Sequence, residues 1–169
     1  MLDNLDTSFR SFGCESPKCS AFPTAFSSYK PRHQKVYGCI CISDKGRILL
    51  VKGRQSGKWS LPKGHMELNE NDISCAMREL YQETGIVPDV HYSSYKKLSA
   101  GGYFIFFFKD EPTPSPLDVK EIEEAIWIEI DDIRDLNCNV DLNRCGRWIK
   151  TAIKNIEKGF LFDECAIYD

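Results

Sequence analysis

The chain has 169 residues, of which 42% are hydrophobic and 28% are charged, and its formal net charge at pH 7 is −3. This balance favours a soluble domain with a full core and excludes a whole-chain basic field for unspecific nucleic-acid binding, although a local basic patch stays open. No apolar run approaches the ~20 residues that span a bilayer. Because the first residues are acidic and do not resemble a secretory signal, we expect a cytoplasmic protein with no membrane partner.

Residues 1–34 show weak periodicity and are predicted to form an irregular N-terminal arm, whereas residues 35–169 are predicted to form the folded domain. The eight cysteines are expected to be free thiols, since intracellular proteins seldom keep disulfides. Within the arm, Cys14, Cys19 and His33 leave a small zinc site open as an alternative, but no CxxC pair supports it.

Strand-like and helix-like runs follow one another along the predicted domain. A hairpin turn at Asp44-Lys45-Gly46 joins the first two strand-like runs. Asn71 or Asp72 is expected to cap the first helix, and Gly85 is expected to end it. The predicted strands span residues 36–43, 47–52, 86–97, 103–109 and 125–130, and the predicted helices run to residue 84 and over 143–158. Helices that interrupt strands of mixed length indicate an α/β or α+β sandwich.

Two glutamates share one face of the first predicted helix. Glu79 and Glu83 are four residues apart, so their carboxylates lie one turn apart at the rim of the apolar stripe. Close carboxylates repel one another unless a cation lies between them, and Mg²⁺ accepts carboxylate oxygens together with several waters. The pair therefore predicts a hard divalent-cation site, with Mg²⁺ as the expected cofactor and Mn²⁺ as the alternative.

Further residues are predicted to brace this site. Glu70 lies where the preceding loop meets the helix, and Arg78 is placed to reach back to it. A carboxylate–guanidinium pair there would fix the loop against the helix. Gly64 allows the loop backbone to approach a metal or ligand closely. An ordinary solvated helix face would account for any two of these residues, but not for the whole set.

The segment from Gly64 to Ile86 resembles the Nudix box, G-x5-E-x7-R-E-U-x-E-E-x-G-U, in which U is aliphatic. The matching residues are Gly64, Glu70, Arg78, Glu79, Leu80, Glu83, Gly85 and Ile86. One position departs from the pattern, because Gln82 stands where the first glutamate of the Glu-Glu pair is usual. The resemblance implies a hydrolase whose divalent metal is held by Glu79, Glu83, Gln82 and the Gly64 carbonyl. The number of metals stays open, since Gln82 offers an uncharged oxygen.

The resemblance extends beyond the box to roughly residues 36–156. It includes a Trp-x-x-Pro-x-Gly lead-in and a later Glu-Ile followed by a tryptophan, here Trp59, Pro62, Gly64, Glu121, Ile122 and Trp127. In some family members this later glutamate is a metal ligand or the general base. The implied catalytic residues are thus Glu79, Glu83 and Glu121, with the base left open among them. The implied fold is an α/β/α sandwich with a mixed sheet between helices.

Lys63 and His65 flank Gly64 and are predicted, more weakly, to contact substrate phosphate; a solvated lysine and a polar surface histidine are the alternatives. The run Lys63-Gly64-His65-x-Glu67 looks like that of dinucleoside polyphosphate hydrolases. A Pro-Lys-Gly sequence also occurs in diphosphoinositol polyphosphate hydrolases and in messenger-RNA decapping enzymes. We therefore expect a phosphorylated nucleotide-type small molecule as substrate, with an RNA cap as an alternative. A non-catalytic nucleotide-binding Nudix module is the alternative of another class, disfavoured by the intact Glu79 and Glu83.

Overall fold

A mixed β-sheet organises the part of the chain that the structure describes. The structure is a computed structural model that describes residues 35–89, 91–99 and 101–157, with side chains as far as Lys154. The strands are β1 (Val36–Ser43), β2 (Arg47–Gly53), β3 (Trp59–Ser60), β4 (Lys63–His65), β5 (Ser94–Lys97), β6 (Gly102–Phe108) and β7 (Ile122–Glu129). They are ordered β3-β2-β1-β6-β5, while β4 also pairs with β1 and β7 with β2. The β1–β6 pair is parallel and the other strand pairs are antiparallel.

Two helices, α1 (Asp72–Thr84) and α2 (Val140–Glu157), pack against opposite faces of this sheet. Alternate residues of β1 divide between the two cores, so that Cys39 packs with α1 and Ile40 packs with α2. Residues of β6 divide in the same way, with Phe104 on the α1 side and Tyr103 on the α2 side. Because both faces are covered, the central strands are apolar throughout. The predicted α/β/α sandwich is confirmed.

The ends of α1 follow the predicted capping pattern. Asn71 accepts a hydrogen bond from the Ser74 N–H at 2.8 Å through its side-chain Oδ1, which satisfies one of the free N–H groups of the first turn. Gly85 adopts a left-handed φ of 72° and donates its N–H to the Tyr81 carbonyl. This glycine ends the helix. Both capping predictions are confirmed.

Several predicted boundaries were wrong. The expected strand over residues 86–97 is reduced to Ser94–Lys97, because the left-handed Gly85 redirects the chain and Pro88 offers no N–H to a ladder. The short strands β3 and β4 were missed, since two or three residues carry no periodicity. Helix α2 begins at Val140 rather than residue 143, and the Asn139 Oδ1 accepts a hydrogen bond from the Leu142 N–H there. Strand β7 likewise begins at Ile122, three residues before the predicted start.

The described cysteines are free thiols, as predicted, and all of them are buried. They are Cys39, Cys41, Cys75, Cys138 and Cys145. Residues 1–34, which include the Cys14, Cys19 and His33 alternative, lie outside the described residues. In the part of the chain that the structure describes, no helix has the length and apolarity needed to cross a membrane.

Candidate active site

A cleft of about 750 Å³ opens beside α1 and β4. Its walls come from the β2–β3 turn, β4, α1, the segment before β7 and the residue preceding α2. Charged groups of both signs line it, with the acids Glu67, Glu79, Glu83, Asp118 and Glu121 and the bases Lys58, Lys63, His65 and Arg78. The fold thus gathers residues from five parts of the chain around one polar space.

Glu83 is the most buried acid of the cleft, with 8% of its surface exposed. Its Oε2 accepts a hydrogen bond from the Lys63 N–H of β4 at 2.9 Å. Burial raises the pKa of Glu83 to about 8, and repulsion from Glu79 and Glu121 adds to the effect, while the Lys63 N–H opposes it. An ionised carboxylate in this position is unfavourable by itself and gains from a cation placed nearby.

Glu79 lies one turn before Glu83 on the same helix face. Burial raises the pKa of Glu79, the Arg78 guanidinium counteracts this rise, and Glu121 adds repulsion. A Cβ atom on Gly64 would lie 2.1 Å from the Glu79 carboxylate carbon, so a side chain at position 64 would displace the Glu79 carboxylate from its present position. The Gly64 backbone thus lies directly against Glu79, and its approach to a metal or ligand stays a prediction.

Arg78 joins the loop after β4 to the helix. Its Nε donates to Glu70 Oε1 at 2.8 Å and its NH2 donates to Glu70 Oε2 at 3.0 Å, which is a bidentate pair. NH2 also donates to the His65 carbonyl at 2.9 Å. The Arg78 guanidinium lowers the pKa of Glu70 to about 2, and the hydrogen bond from Glu67 N–H contributes to this lowering. The structure thus brings Glu70 and Arg78 together, and the pair ties the loop to α1.

The third guanidinium nitrogen of Arg78, NH1, contacts two of the residues that were predicted to bind the metal. NH1 donates to Glu79 Oε1 at 2.6 Å and to Gln82 Oε1 at 2.9 Å. The Gln82 oxygen, predicted from the sequence as a metal ligand, is therefore hydrogen-bonded to Arg78 in this arrangement. The Gly64 carbonyl accepts a long contact of 3.8 Å from the Cys75 thiol. Arg78 thus compensates part of the negative charge of Glu79 through direct hydrogen bonds, while Glu83 is compensated by the Lys63 N–H and by the charge of the Lys63 side chain.

Some cleft residues were missed by the sequence analysis. Ser56, Lys58, Asp118 and Asn139 line the cleft beside the predicted residues. They belong to loops outside any local motif, so no spacing rule points to them. Lys63, His65 and Glu121, which the motif and the resemblance did single out, also line the cleft.

The donor set of the cleft fits a hard divalent cation. Among the described residues, no group of three His, Cys, Asp or Glu side chains forms a ready-made metal cluster. Mg²⁺, however, takes only one or two protein carboxylates and keeps several waters. Glu79 and Glu83 offer such carboxylates, and the nearby Glu121 repels both. A bound cation would relieve that repulsion, which is the chemistry that the site favours.

Comparison with known proteins agrees with this fold and site. A family model of the NUDIX domain matches residues 32–147. Since this match covers more than half of the chain, the protein belongs to the Nudix family. Nudix hydrolases generally use divalent metals such as Mg²⁺ or Mn²⁺.

Individual relatives include decapping proteins. The chain is 32% identical over 123 residues to the mRNA-decapping enzyme subunit 2 of Arabidopsis thaliana, which covers 64% of this chain and 31% of that protein. It is 40% identical over 121 residues to the m7GpppN-mRNA hydrolase of Saccharomyces cerevisiae, covering 64% of this chain and 12% of that protein. The chain thus matches less than a third of the length of either relative.

A solved structure shows the same fold at low identity. The crystal structure of a C. elegans Ap4A hydrolase binary complex superposes with a TM-score of 0.59 and 16% sequence identity, over 72% of this chain and 98% of that one. At this identity the likeness concerns the fold alone.

Proposed function

We propose that this cleft hydrolyses a phosphoanhydride bond in a nucleoside-diphosphate-linked substrate, with Mg²⁺ or Mn²⁺ as cofactor. The observation that carries the proposal is the Glu79–Glu83 pair, which is held on the cleft wall at one-turn spacing with both pKa values raised by burial. Maintaining two desolvated carboxylates side by side costs stability. A metal-binding role explains why the fold keeps them there.

Each residue of the set takes a distinct part. Glu79 and Glu83 would hold the metal, together with the Gly64 carbonyl and the Gln82 oxygen, which keeps a second lone pair beside its hydrogen bond to Arg78. When bound, the cation neutralises phosphate charge and lowers the pKa of water. Glu121 is the third acid at the cleft, and the general base is one of these three glutamates.

Substrate phosphates need cations on the protein side as well. Lys63 and His65 line the cleft next to Gly64 and would contact phosphate oxygens directly. Arg78 is not available for this, because Glu70, Glu79 and Gln82 occupy its nitrogens. Its role is to brace the loop, with Glu70, so that β4 stays against α1.

For the substrate we favour the cap of messenger RNA, which is itself two nucleosides joined by a triphosphate. Support comes from the decapping relatives at 32% and 40% identity. A second support is a separate hollow on α2, lined by the exposed Arg144, Arg147 and Thr151 and by Trp148, which is half-buried against the core and lies with its ring centre 5.6 Å from the Lys96 ammonium nitrogen. Cations interleaved with an aromatic ring suit an RNA backbone and its bases.

A free dinucleoside polyphosphate is the second candidate. The run from Lys63 to Glu67 favours it, and three residues of that run besides the glycine, Lys63, His65 and Glu67, line the cleft. A phosphoanhydride bond would be cleaved in both cases, so the two candidates differ in the groups that the phosphate chain joins.

A substrate panel tests the proposal. Capped RNA, a cap dinucleotide, dinucleoside polyphosphates, nucleotide sugars and diphosphoinositol phosphates are incubated with the full chain and Mg²⁺ or Mn²⁺, and products are identified by mass. We expect hydrolysis that disappears in excess chelator and returns with either metal. Turnover that persists in chelator after metal stripping would contradict the metal-based mechanism.

A double variant on α2 separates binding of the RNA chain from cleavage of the cap itself. Replacing Arg144 and Arg147 by glutamine should slow hydrolysis of capped RNA and leave hydrolysis of the cap dinucleotide unchanged. Equal effects on both would remove the α2 face from RNA binding. Metal-independent binding of nucleotide without turnover of any compound would favour the non-catalytic module instead.

A further inference from the structure

The structure assigns a positioning role to Arg54, in the β2–β3 turn: it holds the turn of residues 118–122 and thereby sets the position of Glu121 in the cleft. This inference rests on the proposed function, in which Glu121 takes part in catalysis. It concerns a residue outside the Nudix box and outside the cleft lining.

The turn of residues 118–122 satisfies three of its N–H groups internally. The Asp118 side-chain Oδ1 accepts hydrogen bonds from the Lys120 and Glu121 N–H groups, both at 3.1 Å. The Asp118 carbonyl accepts from the Ile122 N–H at 2.9 Å. Such a side-chain cap fixes the donors of a turn but leaves its later carbonyls without partners from the turn itself.

Arg54 supplies the donors for those carbonyls. Its Nε donates to the Val119 carbonyl at 2.8 Å, and its NH2 donates to the Ile122 carbonyl at 3.4 Å. Its main-chain N–H donates to the Glu121 carbonyl at 2.7 Å. One residue thus engages three of the turn's carbonyls, and the planar guanidinium reaches two of them at once.

The two segments joined by Arg54 are themselves anchored. On one side, the Gly53 N–H donates to the Lys58 carbonyl and the Gly57 N–H donates to the Gly53 carbonyl, which closes the turn that carries Arg54. On the other side, the N–H groups of Leu117 and Asp118 donate to the Gln82 carbonyl of α1, each at 2.9 Å. The turn of Glu121 is therefore suspended between α1 on one side and, on the other, Arg54 and the paired strands β2 and β7, in which Ile122 lies opposite Gly53.

This suspension matters because Glu121 is exposed and its carboxylate accepts no hydrogen bond from any described residue. Its backbone then sets which part of the cleft the carboxylate can reach beside Glu79 and Glu83, on which it acts electrostatically. Loss of the Arg54 side chain removes two of the three contacts that Arg54 makes. We expect the turn to move while the core stays intact, because the Arg54 side chain is exposed and reaches the buried Ile122 through its main-chain carbonyl.

A double-mutant cycle tests the inference. Arg54→Ala and Arg54→Lys are made in the parent and in Glu121→Gln, with Arg134→Ala as matched control, because Arg134 is also exposed and donates to a main-chain carbonyl. Arg54→Ala should lower kcat about tenfold with KM nearly unchanged, and Arg54→Lys should recover part of the loss. In the Glu121→Gln background the same substitution should change kcat less than about twofold, since the positioned group is gone.

An equal loss of kcat in both backgrounds would overturn the inference, and so would a change in KM alone. Amide hydrogen exchange of residues 120–122 gives a readout that does not need activity. Faster exchange of these amides in Arg54→Ala than in Arg134→Ala supports the positioning role, whatever the activity of the parent. A parent that hydrolyses none of the panel substrates would count against the proposed function only. Unchanged exchange would contradict the role whatever the activity.

Discussion

Two carboxylic side chains are buried in the described part of the chain, and their surroundings are opposite. Asp141 is 2% exposed in the first turn of α2 and accepts hydrogen bonds from the Tyr103 hydroxyl at 2.9 Å and from the Ser99 hydroxyl. Glu83 is 8% exposed in the last turn of α1, a turn without a basic residue. It receives one main-chain N–H and faces two other glutamates.

Burial alone therefore does not tell whether an acidic residue belongs to a functional site. A helix N-terminus and two hydroxyl donors stabilise the Asp141 carboxylate, which therefore joins α2 to the β5–β6 connection and to β6. A helix C-terminus, like-charged neighbours and a low-dielectric wall all disfavour ionised Glu83. We infer that Asp141 stabilises the fold whereas Glu83 is stabilised by what binds in the cleft.

The largest expected effect is on turnover in Glu83→Gln. The substitution keeps the size and helix propensity of the side chain but removes a metal ligand, so kcat at saturating substrate should fall about a hundredfold or more. In metal-free buffer the melting temperature should match or exceed that of the parent. Glu124→Gln, an exposed change on β7, is the control. A Glu83→Gln variant that unfolds would show that Glu83, like Asp141, has a structural role. A variant that keeps parent turnover at limiting Mg²⁺ would remove Glu83 from the metal site.

Asp141→Ala should show the reverse pattern. Removing the acceptor leaves the Tyr103 and Ser99 hydroxyls without a partner, which should lower the free energy of unfolding by about 3 kcal/mol. Below the melting transition, kcat should stay near that of the parent. Asp141→Asn keeps one acceptor oxygen and should lose less stability, as measured by urea unfolding. A large fall in kcat with little loss of stability would show that Asp141 acts on the chemistry instead.

The pH dependence of stability should separate the parent from Glu83→Gln. Because burial raises the pKa of Glu83 in the folded protein from 4.5 to about 8, its contribution is fully present below about pH 4 and is lost as the pH rises through 8. The metal-free parent should therefore become less stable than Glu83→Gln over this window, by roughly 5 kcal/mol at the upper end, since a pKa difference of one corresponds to about 1.4 kcal/mol. Parallel stability curves for the two proteins between pH 5 and 9 would contradict the unfavourable environment of Glu83.

The smallest effect is expected for Gln82→Glu. The Gln82 oxygen accepts from Arg78 NH1, which also donates to Glu79. A carboxylate at this position would compete for Arg78 and add negative charge to the cleft, so the Mg²⁺ concentration for half-maximal rate should fall severalfold. Titration of the rate against Mg²⁺ measures this. An unchanged or higher half-maximal concentration would show that residue 82 does not influence the cation.

The local sequence pattern was enough to predict part of the fold and of the candidate site. The helix from Asn71 to Gly85 could be predicted because caps, apolar spacing and acid spacing are properties of contiguous residues. The same reasoning placed Glu79 and Glu83 on one helix face and paired Glu70 with Arg78. It failed for β3 and β4, whose few residues form strands only because β2 and β1 offer them hydrogen-bonding edges.

By itself, the sequence determined helix α1 and the spacing of the box residues, since each depends on neighbours within about one or two helical turns, while the two-sided sheet followed from the family resemblance. Only the tertiary structure decided what surrounds each buried acid. The partners of Glu83 and Asp141 come from other strands and loops, through Lys63, Tyr103 and Ser99. The link from Arg54 to the turn of Glu121 was likewise decided by packing, because hydrogen bonds to main-chain carbonyls leave no signature in side-chain pattern.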